Sequence, residues 1–457
     1  MKTSIFFIYW VLYLNKASKA LSFCELTSID YAIWQYRFLL VQHSRKQPHT
    51  VVQLNILVFD EIAMNKRIAK RAADISPFHV MDILAQAKQL QSLGHDIIHM
   101  EVGEPDFDTP EPIVEAGINA LKAGKTHYTP ALGLPELREA IANWYQSHYQ
   151  VSISPQRIVV TPGASGALLL VMGALLEQGD KVMLADPGYP CNRHFARFVE
   201  GEVNAVPVTA DSHYQLTAQH VEQYWDSQTS MALVASPSNP TGTVLTQAEL
   251  EALSDVIKQK AGTLVVDEIY HGLTYDDFQA PTALSVSDDI FVINSFSKFF
   301  GMTGWRLGWL VVPEGYTEIM DRLAQNLFLA APTMSQYAAL AAFHKNTLDI
   351  LEQRRQTFEQ RRDRLLPALK QIGFNIPVTP QGAFYLYADC SALLTDAIPD
   401  SMALSRYLLK QADVAITPGL DFGQFRAEKH CRFAYTTNEE RLLEAAERIH
   451  QAIKQLN

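Results

Sequence analysis

The sequence predicts an α/β protein with a mixed, mostly parallel sheet between helices. Three observations lead there. Short apolar runs alternate with segments of helical character from Arg157 to Val312. Seven runs in that region qualify as strands. Four of them end in a turn carrying chemically special residues, and in an open α/β sheet the ligand site lies beyond the carboxyl ends of the strands. Turns far apart in sequence should therefore converge.

At 457 residues the chain is long enough for two domains with sizeable cores. Its 48% hydrophobic and 19% charged residues are ordinary for a globular protein. The 49 acidic and 38 basic residues give a net charge of -11, which argues against a nucleic-acid binder with a basic face. Cys24, Cys191, Cys390 and Cys431 are far apart in sequence, and no C-x-x-C or Cys/His metal spacing appears. A reduced, cytoplasmic compartment is the simplest reading, with no metal site. Ile5 to Leu14 is ten apolar residues, too short to span a bilayer, so no membrane partner is expected. Lys2 and Ser18-Lys19-Ala20 give that run some features of a signal peptide. A stretch without clear period follows, and we read residues 1–63 as an N-terminal extension outside the working protein, which starts at Met64.

Val80, Leu84, Ala87 and Leu90 recur at helical spacing, with Gly94 as a stop. Ile97 to Val102 reads as a strand entering the turn Gly103-Glu104-Pro105-Asp106-Phe107. Thr126-His127-Tyr128-Thr129-Pro130 precedes a helix from Glu136 to Tyr149. Arg157 to Thr161 is the first strand of the main sheet; it meets Pro162-Gly163-Ala164-Ser165-Gly166 and an apolar helix from Ala167 to Glu177. Free N–H groups at such a helix start attract phosphate, and glycine permits close approach. The next strand, Lys181 to Ala185, ends at Asp186-Pro187-Gly188-Tyr189-Pro190. Val203 to Val208 and Met231 to Ala235 follow, the latter entering Ser236-Pro237-Ser238-Asn239-Pro240-Thr241-Gly242. Leu264 to Val266 leads to Asp267-Glu268-Ile269-Tyr270, where Asp267 would serve equally as the cap of a following helix. Ile290 to Ile293 and Trp305 to Val312 complete the seven. Thr333 to Gly373 is helical in pattern, and Pro380 to Tyr385 and Val414 to Gly419 look like strand and turn pieces of a second domain. The last helix has Asn438 as its cap and Leu442, Ala446, Ile449 and Ile453 on one face.

One stretch organises the rest: Asn294-Ser295-Phe296-Ser297-Lys298-Phe299-Phe300-Gly301-Met302-Thr303-Gly304-Trp305-Arg306. It presents a lysine at the mouth of a buried strand, where its charge is expensive to desolvate. A lysine amine can form a Schiff base with an aldehyde, which suits pyridoxal phosphate. The serines and the arginine would then hold the phosphate. Arg432 lies in an otherwise apolar run and needs an anionic partner, either a protein carboxylate or a substrate one.

This stretch, with Ser295 three residues before Lys298 and Arg306 eight after, resembles the lysine motif of the class I aminotransferases, which are fold-type I pyridoxal phosphate enzymes. The similarity runs from Met64 to the C-terminus. It implies a large cofactor-binding domain over residues 111–332 and a smaller α/β domain built from residues 64–110 and 333–457. It implies that Lys298 carries the cofactor and that Tyr189 stacks on its ring. Asn239 and Tyr270 would meet the phenolic oxygen, Tyr270 from one helical turn beyond Asp267. Asp267 would pair with the pyridine nitrogen, keeping the ring an electron sink. Gly163, Ala164, Ser165, Ser295 and Arg306 would hold the phosphate; Ala164 departs from the family pattern, which usually has a polar residue there. Gly103 would line the substrate pocket and Arg432 would bind the substrate carboxylate. Tyr128 would reach the phosphate of a partner subunit in a homodimer with shared sites. The implied reaction moves an amino group between an L-amino acid and a 2-oxo acid. Ala167 to Glu177 contains no basic residue to meet an acidic side chain, which favours apolar or aromatic donors over aspartate unless Arg193 or a residue of a partner chain substitutes. A C–S or related lyase on the same fold is the alternative, and a cofactor-sensing regulator domain is another. Residues 1–63 show no helix-turn-helix pattern to support the regulator.

Overall fold

The computed structural model describes residues 68–456. The expected start at Met64, and the reading of residues 1–63, lie outside the described residues. The chain divides into two units, Met1–Ala73 and Asp74–Asn457. The described part of the first unit holds one helical turn, Lys70–Ala73. Everything below belongs to the second.

In chain order its elements begin with α1 (His79–Ser92), β1 (Ile98–His99), α2 (Glu111–Lys122), α3 (Pro135–Tyr149), β2 (Ile158–Thr161) and α4 (Gly163–Leu175). Then come β3 (Lys181–Asp186), α5 (Pro190–Phe198), β4 (Glu202–Pro207), α6 (Ala218–Tyr224), β5 (Thr229–Ala235), α7 (Gln247–Gln259) and β6 (Thr263–Asp267). These are followed by β7 (Phe291–Ser295), β8 (Gly308–Val311), α8 (Thr317–Leu327), α9 (Thr333–Ala339) and α10 (Lys345–Ile372). The chain closes with β9 (Tyr385–Asp389), α11 (Ser401–Gln411), β10 (Val414–Ala415), β11 (Thr417–Pro418), β12 (His430–Ala434) and α12 (Glu439–Lys454).

The seven expected strands form one seven-stranded sheet in the order β2-β8-β7-β6-β5-β3-β4. β8 runs antiparallel to both neighbours, and the other pairings are parallel. Alternate residues feed two different cores. Ile158 and Val160 face one and Val159 the other; Leu264 and Val266 face the first and Val265 the second. Helices cover both faces, which is why these strands read as unbroken apolar runs. The carboxyl ends of six strands and the start of β8 therefore share one edge of the sheet.

A separate core forms around α10, α12, β9 and β12. β11-β12-β9 is a three-stranded antiparallel sheet, and β1 pairs in parallel with β10. The segment around β1 thus pairs with the C-terminal part. The expected strand Ile97–Val102 shortens to Ile98–His99 because its remaining carbonyls turn elsewhere: Met100 O accepts from Ala434 N at 2.7 Å, and Val102 O from Thr436 Oγ1 at 3.2 Å. Asn438 caps α12 as expected, Oδ1 accepting from Arg441 N at 2.9 Å, with Leu442, Ala446, Ile449 and Ile453 buried. Cys390 and Cys431, distant in sequence, lie 3.9 Å apart as free thiols. Among the described residues no helix is long and apolar enough to cross a membrane.

Candidate active site

The ends of β2, β3, β5, β6 and β7 and the start of β8 each deliver a group to the shared edge. β2 ends at Thr161, and Gly163, Ala164 and Ser165 form the first turn of α4, so their N–H groups point out of the helix start. Gly163 has φ +69°, and a Cβ there would fall 2.6 Å from Arg306 Nη2. Glycine alone lets the guanidinium lie against that turn. Arg306 itself sits just before β8, in left-handed conformation. It arrives at this edge because β8 runs against the others. β7 ends at Ser295, whose Oγ donates to Leu307 O at 3.3 Å and accepts from Ser297 N at 3.0 Å. That hydroxyl fixes the turn that presents Lys298.

Lys298 is half-buried. Its Nζ donates to Gly103 O at 2.7 Å, and the rings of Tyr270 and Phe384 lie 5.5 and 5.6 Å from it. Burial pushes its pKa down to about 8, assisted by the charges of Arg432 and Arg306 and opposed by Glu104 and Asp267. The amine is thus far more available than an ordinary lysine. Gly103 lies against Tyr385, where a Cβ would come 2.0 Å from the tyrosine Oη. The Gly103 turn is pinned by Asp106, which accepts from Arg361 at 2.7 and 2.8 Å.

Asp267 ends β6 at 3% exposure. Its Oδ1 accepts from Ile269 N at 3.1 Å, and burial pushes its pKa up to about 7. No helix follows it: Glu268 O accepts from His271 N and Tyr270 O from Leu273 N, a tight turn that replaces the expected helical one. Tyr270 still reaches the site, its hydroxyl 2.8 Å from Tyr385 Oη. Tyr189 is half-buried at the start of α5, beyond β3. Asn239, beyond β5, accepts at Oδ1 from Arg432 Nη1 at 2.9 Å, which leaves its amide N–H₂ free to donate elsewhere.

Arg432 is 3% exposed and is held by Glu101 O at 2.5 Å and Thr417 Oγ1 at 3.2 Å, with its guanidinium over the rings of Tyr385 and Phe422. Its Nε is buried without a hydrogen-bond partner among the described residues. No carboxylate side chain is bonded to it in these contacts, so the fork remains able to take an anion. Tyr128 is the one predicted residue not brought in: it is 82% exposed in the single chain. Tyr385, Glu101 and Thr417 were not singled out from the sequence. Tyr385 stands in the Gly-Ala-Phe-Tyr stretch that was read only as strand and turn.

These residues fit a phosphorylated pyridine aldehyde. A helix start and an arginine converge where a phosphate would lie, a buried carboxylate is hydrogen-bonded only by a backbone N–H among the described residues, and a reactive amine lies within electrostatic reach of both charges. The family described as aminotransferase class I and II matches residues 95–449. The chain belongs to that family. It is 38% identical to the valine–pyruvate aminotransferase of Mycobacterium tuberculosis over 387 residues, 84% of this chain and 98% of that one. It is 37% identical over 385 residues to the (5-formylfuran-3-yl)methyl phosphate transaminase of Methanocaldococcus jannaschii, again 84% and 98%. The crystal structure of an aminotransferase from Mycobacterium tuberculosis superposes with TM-score 0.82 at 37% identity, covering 86% of this chain and all (100%) of that one. The transaminase is therefore a pyridoxal phosphate-dependent enzyme that moves amino groups between an amino acid and a 2-oxo acid.

Proposed function

We propose that Lys298 holds the cofactor and moves the proton at the donor's Cα, as general base and then acid. When bound, pyridoxal phosphate supplies an electron sink for the charge developed at that carbon. Asp267 would hold the pyridine nitrogen, Tyr189 the ring face, and Asn239 and Tyr270 the phenolic oxygen. The first turn of α4, Ser295 and Arg306 would hold the phosphate. Arg432 would orient the donor through its carboxylate, beside Gly103. The observation that carries this assignment is the pair of buried ionisable groups whose charges act on Lys298: a carboxylate pushed towards neutrality and a guanidinium whose Nε has no hydrogen-bond partner among the described residues.

For the donor, apolar or aromatic amino acids are favoured. No basic residue lies in α4, and Arg193 is already engaged, donating to Asp421 O with the carboxylates of Asp186 and Asp421 nearby. An acidic side chain would be left without a cation. We also place Tyr128 in trans: its exposure supports a homodimer in which it completes the partner's phosphate site. Borohydride reduction and peptide mapping should find the pyridoxyl group on Lys298. A screen of donors, read as conversion of the bound aldehyde to pyridoxamine phosphate, then ranks substrates and separates transamination from lyase chemistry. A label on another lysine sinks the site assignment, and a kcat/KM for aspartate well above those for phenylalanine, leucine and alanine sinks the donor preference.

A further inference from the structure

Tyr385 touches three parts of the site at once. Its hydroxyl lies 2.8 Å from that of Tyr270. Its ring carries the Arg432 guanidinium at 4.4 Å. Its hydroxyl end is the surface against which Gly103, the acceptor for Lys298, is packed. Tyr385 is 1% and Tyr270 2% exposed, so water does not complete their hydrogen bonding freely.

Two phenol hydroxyls in contact share one proton between them and leave the other to be placed. If Tyr270 donates to Tyr385, its proton is turned away from the cofactor. If Tyr385 donates, the Tyr270 proton is free to point at an outside acceptor. A cation lies over each ring, Arg432 at 4.4 Å from that of Tyr385 and Lys298 at 5.5 Å from that of Tyr270, but a lysine joined to the cofactor is no longer a free ammonium, so the nearer and permanent charge on Arg432 decides between these. A positive charge at the ring face makes that O–H the stronger donor of the pair. We propose that Tyr385 is a positioning residue for the transaminase, donating to Tyr270 so that the Tyr270 hydroxyl is aimed at the cofactor's phenolic oxygen. This rests on the reading above that Tyr270 meets that oxygen. It also links the carboxylate fork to the cofactor: Arg432 polarises Tyr385, Tyr385 polarises Tyr270, and hydrogen bonds in such a chain strengthen one another.

The test uses the holoenzyme and follows the absorbance of its bound cofactor against pH. A donor aimed at the phenolic oxygen favours its anionic form, so weakening that donor moves the titration midpoint up. Tyr385→Phe should raise it by about half a pH unit, the size of a roughly 10–30% loss in one charge-assisted hydrogen bond. Tyr270→Phe should raise it further, and the double variant should match Tyr270→Phe alone. Replacing Tyr385 by 3-fluorotyrosine keeps its shape and makes the hydroxyl a stronger donor, so the midpoint should fall; this variant decides the matter if Tyr385→Phe folds poorly. A midpoint unmoved by either change at position 385, while Tyr270→Phe moves it, overturns the relay and leaves the role of Tyr270 intact. A double variant that shifts by the sum of the singles makes Tyr385 independent of Tyr270 and overturns it too. If Tyr270→Phe itself does nothing, the placement of Tyr270 fails and the relay with it.

Discussion

In the apoprotein the Lys298 amine should titrate near pH 8, not at the ordinary lysine value of 10.5. The difference corresponds to about 3 kcal/mol favouring the neutral amine. At neutral pH it makes about one amine in ten unprotonated, against roughly one in three thousand for an ordinary lysine, a gain of about 300-fold in nucleophile. Burial is the largest cause and the Arg432 charge the next. Arg432→Gln should therefore raise the midpoint without restoring it fully, since burial remains. Competitive labelling with a trace of acetic anhydride, from neutral to alkaline pH, reads the amine directly when the Lys298 peptide is quantified. A midpoint at the ordinary value in the wild type refutes the reasoning. So does a midpoint that falls in Arg432→Gln, because removing a neighbouring positive charge can only favour the protonated amine.

Burial raises the Asp267 pKa from 3.8 to about 7 in the free protein, so the fold favours its neutral form. That contribution to stability is present in full below the unfolded value and is lost as pH rises through the folded one. Asp267→Asn removes the charge and should stabilise the apoprotein in mildly alkaline buffer by up to about 4 kcal/mol. The gap should narrow in acid, as read by thermal melts of both forms. Gly103→Ala would place a Cβ 2.0 Å from Tyr385 Oη, so the acceptor of Lys298 must move; kcat/KM should fall by roughly a hundredfold with the fold intact by circular dichroism. Asn438→Ala removes the side-chain cap of α12 and should cost about 1 kcal/mol in urea unfolding with little change in activity.

The strands were legible because they are buried on both faces. Val159 and Val160 point to opposite cores, yet both must be apolar, so the run has no alternation to obscure it. The site was legible wherever one turn carries its own signal, as Ser295 to Arg306 does. What escaped depends on contacts between distant segments. Tyr385 matters through Tyr270 and Arg432, 115 residues before it and in the neighbouring strand. Nothing local to a Gly-Ala-Phe-Tyr stretch announces that. The turn after Asp267 was misread as helical because the spacing to Tyr270 suits one, while Glu268 instead bends back to Thr282 and Ala283. The lowered Lys298 pKa also lay beyond the sequence, since its causes are burial and two arginines brought in by other elements.

The reversed strand β8 also dictates a timetable. β2 stands at the sheet's end with β8 as its neighbour, and its four register partners are Gly308 to Val311. A chain emerging from the ribosome makes β2 early but must wait for all of that intervening length before the strand has anywhere to dock. Until then the first turn of α4 has no Arg306 beside it. Arg432 emerges later still, near the end of the chain. The nascent protein can therefore build much of its scaffold while the ligand site is still incomplete: the groups read as holding the cofactor are all present only once Arg306 has emerged, and the fork for the donor's carboxylate only near the end.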